Sequence, residues 1–293
     1  MRLDDRPESD QVEDERGGGG IGGRHVAGGG LGILVLAVVI GLLTGHNPLQ
    51  ILQLLTSPSA STSDSGPPAP TPTGQNAGTQ GEEPGVEDPG KKFVRVVLAD
   101  TEQTWTEIFR EHERRYELPK LVLFDGSVDS GCGLTSAAVG PFYCPEDFKV
   151  YLDLSFFREL SQRFGAPGDF ARAYVIAHEV GHHVQNELGI MARAGGGRHA
   201  SIAIELQADC LAGVWGNRGD RKGLLEPGDV EAGLKAAAAV GDDALQKMAT
   251  GRVQPESWTH GSSADRVASL QRGLSTGDPE ACRMPGAAQP LFR

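Results

Sequence analysis

Basic residues are scarce. The 293-residue chain carries 27 Lys and Arg against 39 Asp and Glu, a formal net charge of −12. That balance argues against a nucleic-acid binder, which usually presents a basic face. It argues equally against a cationic surface helix docked on anionic lipid. Cysteine is scarce too: four residues in a chain of this length exclude a disulfide-scaffold miniprotein. None of the four stands in the CxxC spacing that a cysteine zinc site needs. Aromatics are 6% and hydrophobic residues 39%, low for a wholly globular chain, while Gly (41) and Pro (18) are abundant. Such a chain reads as part ordered domain and part linker, with length for about two domains. It has no internal repeat.

The organisation follows from where charge is missing. Residues 1–25 hold seven acids and four arginines among glycines and predict a polar, disordered tail. From Val26 to Gly45 there is no charge, and the run Ile33–Leu43 is ILVLAVVIGLL. Twenty residues at 1.5 Å each make about 30 Å, the thickness of a bilayer's hydrocarbon core, so 26–45 reads as one transmembrane helix. A cleaved secretory signal fits less well, because the preceding region is long and mainly acidic. Arg16 and Arg24 precede the span and no Lys or Arg follows until Lys91, which predicts an extracytoplasmic bulk domain. Residues 46–91 are rich in Ser, Thr, Pro and Gly and predict a linker. The remaining block, 92–283, is long enough for one substantial core, with 284–293 as a C-terminal tail.

Within that block, 94–104 leads into a helix holding Trp105, Ile108 and Phe109. LVLF at 121–124 predicts a short strand, and KVYLDLSFF at 149–157 a second apolar run. Phe170, Tyr174, Ala177, Gly181, Val184 and Leu188 recur at helical spacing, giving a helix over 169–188 stopped by Gly189. Further helices are predicted over 201–215, 229–240 and 263–274, the last capped by Ser262 with Asp265 three residues on.

The 169–188 helix contains His178-Glu179-Val180-Gly181-His182. Histidines at i and i+4 sit one above the other, so both imidazoles reach one ion. Neutral imidazoles hold Zn²⁺ with a position left for water, whose pKa the metal lowers toward about 7. Glu179 then takes that water's proton as it attacks a carbonyl, and returns it to the leaving amine. In the next helix, Glu205 and Asp209 share a face; like charges there cost roughly 0.2–0.5 kcal/mol, which a cation would reverse. Glu205 is read as the third ligand and Asp209 as an acceptor orienting a ligand histidine. The alternative is a solvated acidic face.

These residues carry a resemblance. HEVGHH followed by ELQAD resembles the gluzincin type of zinc peptidase. More closely, Lys92 to Cys282 is similar to the bacterial membrane-anchored "putative neutral zinc metallopeptidase" family. The matching stretches are SGCGLTSAAVGPFYCPED, VYLDLSFF, AHEVGHHVQ, ELQADCLAGVWG, THGSSADR and GDPEAC. The resemblance implies an α+β zincin-like domain with a small sheet, one Zn²⁺ per chain, a single-pass anchor in the cell membrane, and hydrolysis of a peptide or protein substrate.

His183 lies about 100° round the helix from His182, cannot easily share the ion, and reads as a structural or surface residue. His260, in WTHGSS, could donate to the oxyanion of the tetrahedral intermediate or be a plain loop histidine. Tyr174 could do the same, but its place on the apolar stripe favours core packing. Gly181 inside a helix implies close approach of another element. Ser136 to Tyr143 could be an edge strand on which a peptide pairs. An extracytoplasmic domain would favour a Cys132–Cys144 disulfide; Cys210 could pair with Cys282 or stay a buried thiol. The readings that compete with a peptidase are a non-catalytic zinc-stabilised membrane-associated binding or assembly factor, and a hydrolase of non-peptide amides.

Overall fold

A computed structural model describes residues 1–17, 88–284 and 289–292. The expected transmembrane helix at 26–45 and most of the linker lie outside the described residues. Among the described residues no helix is long and apolar enough to cross a membrane.

The architecture is α+β. Helix α1 spans Pro89–Glu111. It begins before the expected helical stretch because Asp88 caps it, its carboxylate accepting from Gly90 N at 2.8 Å, and Pro89 stands in the first turn. Residues 88–91, expected in the linker, therefore belong to this helix and its cap. Strands β2 (Lys120–Leu123) and β6 (Lys149–Leu152) pair in parallel, Leu121 opposite Val150 and Leu123 opposite Leu152. Strand β5 (Phe142–Cys144) runs antiparallel to β6 at the sheet's edge. Period two divides the side chains: Leu121, Leu123, Val150 and Leu152 face the helices, while Val122 and Tyr151 face a second cluster with Phe124 and Val128. That second cluster is covered by the hairpin of β3 (Ser127–Ser130) and β4 (Gly133–Ser136). Burial on both faces is why the central strands read as unbroken apolar runs.

The fourth strand corrects the sequence reading. Residues 1–17 are ordered on the domain. Strand β1 (Val12–Asp14) adds in parallel to β2, Val12 opposite Leu121. Composition concealed this because backbone ladders need no apolar residues, and the segment's charges find partners. Glu13 bridges Lys120 at 2.6 Å and Lys149 at 2.7 Å, Arg6 meets Asp100 at 3.2 Å, and the Met1 amino group lies 3.0 Å from Asp229. Residues 291 and 292 are also no free tail: Leu291 and Phe292 are buried, and Phe292 stacks on His112, the residue that follows α1.

After β6 come α2 (Ser155–Gln162), α3 (Asp169–Glu187), the short α4 (Ile190–Arg193) and α5 (Arg198–Arg221). Helix α3 stops as expected, with Gly189 at φ +65°. Helices α6 (Asp229–Ala239) and α8 (Ser263–Thr276) match the periodicity, and Ser262 Oγ accepts from Asp265 N at 3.1 Å. Helix α7 (Asp242–Thr250) was not expected from the sequence; it is short, and Asp242 is its only buried residue.

Helices α3 and α5 cross at Gly181. A Cβ there would lie 2.9 Å from the Ala208 carbonyl oxygen and 3.2 Å from its Cα. Both are backbone atoms, so the helices would have to move apart. Gly181→Ala is expected to destabilise the domain by about 1–3 kcal/mol despite alanine's better helix propensity, measured by urea unfolding. Equal or greater stability would contradict this packing.

Candidate metal centre

Helix α3 presents His178 and His182 one turn apart, and α5 crosses it to bring up Glu205. One ligand atom from each lies within 4.8 Å of the others. Glu205 reaches both imidazoles, 3.2 Å to His178 Nε2 and 3.5 Å to His182 Nε2. The far sides of the rings are occupied. His178 Nδ1 lies 2.8 Å from Asp209 Oδ1, and His182 Nδ1 lies 2.8 Å from Gln185 Oε1. Both partners are acceptors, so each Nδ1 carries a proton, and each Nε2 faces Glu205, free to ligate an ion once its own proton is lost. Two imidazole nitrogens and one carboxylate are a donor set suited to zinc.

The charges are arranged behind this cluster. Asp209 is fully buried and accepts from Tyr174 OH at 2.6 Å, Arg266 Nε at 2.9 Å and Arg266 Nη2 at 2.9 Å. Burial pushes its pKa up, but Arg266 and His178 outweigh that and hold it at about 2. Burial also opposes the charge on His178, yet Asp209 and Glu205 raise its pKa to about 10. Glu205 sits well below the usual carboxylate range, its burial outweighed by the two imidazoles. Arg266 remains charged, with burial offset by Asp209.

Glu179 is 7% exposed and has no hydrogen-bond partner among the described residues. It shares a cavity of about 760 Å³ with His178, His182, Glu205 and His260. His260 stands at the cavity's rim, its side chain half exposed and its Nδ1 3.2 Å from Asp242 Oδ1. Asp242 also accepts from the backbone N–H groups of Thr259, His260 and Gly261, fixing that loop. Tyr174 is buried with its hydroxyl on Asp209, so it is a core residue and a support for Asp209. The stretch 136–143 is not one strand: it divides into the end of β4, a turn at Ala137–Val139 and the start of β5. Both that turn and β5 line the cavity.

Of the structural and surface roles open to His183, the structure shows the first: the side chain is buried. Its Nε2–H donates to the Glu117 carbonyl at 2.7 Å and its Nδ1 accepts from Tyr143 OH, 3.1 Å away. Burial lowers its pKa to about 4. Unfolded, it would take a proton near pH 6.5, so its contribution is present above that pH and is lost as pH falls toward 4. The expected result is a loss of stability over this window that is shallower in His183→Gln, measured by urea unfolding at several pH values. Parallel pH profiles would contradict it.

Cysteine pairing is now specific: Cys132 bonds Cys144 and Cys210 bonds Cys282. Three polar residues behind the cluster escaped sequence analysis: Gln185, Gln207 and Arg266. Gln185 could have been noticed three residues after His182 on the same helix. Nothing in the linear sequence ties Arg266 or Gln207 to the site.

The fold and the cluster define an α+β domain whose crossing helices present two histidines and a glutamate to one ion. The chain belongs to the family described as "Putative neutral zinc metallopeptidase", whose profile matches residues 1–284. Zinc is what that family implies. The chain is 43% identical to the uncharacterized protein YpfJ of Escherichia coli K12, over 98% of this chain and 99% of that one. It is also 43% identical to the uncharacterized protein Mb2605 of Mycobacterium bovis, over 67% of this chain and 72% of that one. No solved structure matches.

Proposed function

We propose that the domain is a zincin-like peptidase. His178, His182 and Glu205 hold one Zn²⁺ through Nε2, Nε2 and carboxylate oxygen. When bound, the ion acidifies a water and polarises a peptide carbonyl. The observation that carries this reading is the convergence of three ligand atoms beside an unengaged carboxylate, Glu179. Glu179 takes a proton from water as it attacks the peptide carbonyl carbon, then delivers it to the leaving amine nitrogen. Asp209 holds His178 in the Nδ1–H tautomer. His260, steadied by Asp242 at the rim, is placed to donate to the oxyanion. Edge strand β5 offers an extended peptide a place to pair along the cavity wall. Two disulfides favour an oxidising, extracytoplasmic compartment, and the charge-free stretch 26–45 supports attachment to the membrane.

A binding-only role is the second reading. A purely structural zinc site has no use for an unengaged carboxylate at Glu179, which favours the enzyme. The test is metal analysis of purified protein. Wild type should hold one zinc per chain, and Glu205→Ala should bind it at least about 10-fold more weakly in competition with a chromophoric chelator. Wild type without zinc affinity would overturn the reading.

A further inference from the structure

The two ligand histidines are supported differently. His178 leans on a carboxylate, Asp209. His182 leans on an amide, Gln185, whose own orientation is fixed by a chain of buried bonds. Gln185 Nε2 donates to the Ile204 carbonyl at 2.8 Å and to Gln207 Oε1 at 2.9 Å. Both amide protons are used, so the amide cannot turn over without losing two acceptors and presenting N–H to His182 Nδ1–H. Gln207 is fixed in turn, its Nε2 donating to the Cys282 carbonyl at 2.9 Å. Cys282 is bonded to Cys210, three residues along α5 from Gln207. All four of these side chains are buried. The path runs from the disulfide through a carbonyl and two amides to the nitrogen opposite the metal-facing Nε2.

We propose that Gln185 and Gln207 are positioning residues for the metal, and that the Cys210–Cys282 disulfide sets zinc affinity through them. This rests on His182 being a ligand. If the disulfide is lost, the Cys282 carbonyl is no longer pinned beside Gln207. The amide of Gln185 then has a freed partner, and His182 loses the acceptor that keeps its proton on Nδ1.

The experiment is zinc affinity of the full-length protein, by competition with a chromophoric chelator, with far-UV circular dichroism to check folding. Gln185→Leu is expected to bind zinc about 10- to 100-fold more weakly. Gln207→Leu and the double variant Cys210→Ser with Cys282→Ser should each weaken it several-fold. Cys132→Ser with Cys144→Ser, far from this path in the sequence of bonds, should leave it unchanged. Gln185→Glu keeps an acceptor for His182 while giving up both donated bonds. It is expected to restore affinity, which a merely structural role would not allow, and it decides the matter where a leucine variant fails to fold. Folded Gln207 and Cys210/Cys282 variants with wild-type affinity would overturn the proposal, as would a Gln185→Glu protein as weak as Gln185→Leu. Wild type that binds no zinc would instead overturn the metal site itself.

A separate observation concerns the membrane. Strand β1 and its ion pairs make residues 1–17 part of the same folded unit as 88–284. A single crossing by 26–45 would put these two parts on opposite sides of a bilayer, where β1 could not pair with β2. We infer that residues 1–17 and 88–284 lie on the same, extracytoplasmic side. Asp10 is 96% exposed, and Lys235 is an exposed position on α6. In spheroplasts making full-length Asp10→Cys or Lys235→Cys protein, a membrane-impermeant maleimide should label both. Labelling at residue 235 alone would restore the single crossing, and labelling at neither would place the domain inside; either overturns the inference.

Discussion

Glu179→Gln is expected to keep its zinc and lose peptide hydrolysis by about 10²- to 10⁴-fold, the range removed with a general base. The amide is nearly the same size and fills the same place on α3, so the cavity and the three ligands are undisturbed. What it lacks is a site for a proton. Because Glu179 makes no hydrogen bond among the described residues, no structural bond is lost with it, and folding stability should hold within about 0.5 kcal/mol. The check is turnover of a mixed peptide pool with metal content measured on the same samples. A zinc-loaded Glu179→Gln protein as active as wild type would remove this residue from the mechanism.

Arg266→Leu is expected to cost the most in stability. Arg266 and Asp209 have side-chain exposures of 6% and 0%, and Arg266 donates two hydrogen bonds to that carboxylate. Removing the guanidinium leaves a buried charge with only Tyr174 and His178 to face it. Breaking such a pair costs about 3–5 kcal/mol. For a domain of this size that lowers Tm by roughly 6–20 °C. The double variant Asp209→Leu with Arg266→Leu should recover part of the loss, because no charge is then stranded, while still weakening zinc through His178. Calorimetry on the three proteins checks both statements. A single variant melting within 2 °C of wild type would show that the pair is not supporting α5 against α8.

The sequence was most informative where one helix face carried the signal. His178, Glu179 and His182 follow from i, i+4 spacing, and Glu205 and Asp209 from a like-charged pair on an otherwise apolar helix. The prediction that Gly181 admits a neighbour also follows from the sequence, since glycine mid-helix is otherwise a loss. What escaped was tertiary. Arg266 stands 57 residues from Asp209, and neither its charge nor its position on α8 distinguishes it from a surface arginine. Strand β1 escaped because a three-residue strand held by ladder bonds and exposed ion pairs has no apolar period to read. Helix α7 escaped because it is short and buries only its first residue, Asp242, which fixes the loop that carries His260.

The central claim is that this domain cuts peptide bonds with Glu179 as the proton carrier. The most direct measurement compares new protein N-termini in cells making wild type with those in cells making Glu179→Gln. The account predicts termini that appear only with wild type, and their flanking residues would give the substrate preference. Identical sets of termini, with both proteins present and zinc-loaded, would contradict it and favour a domain that binds without cutting.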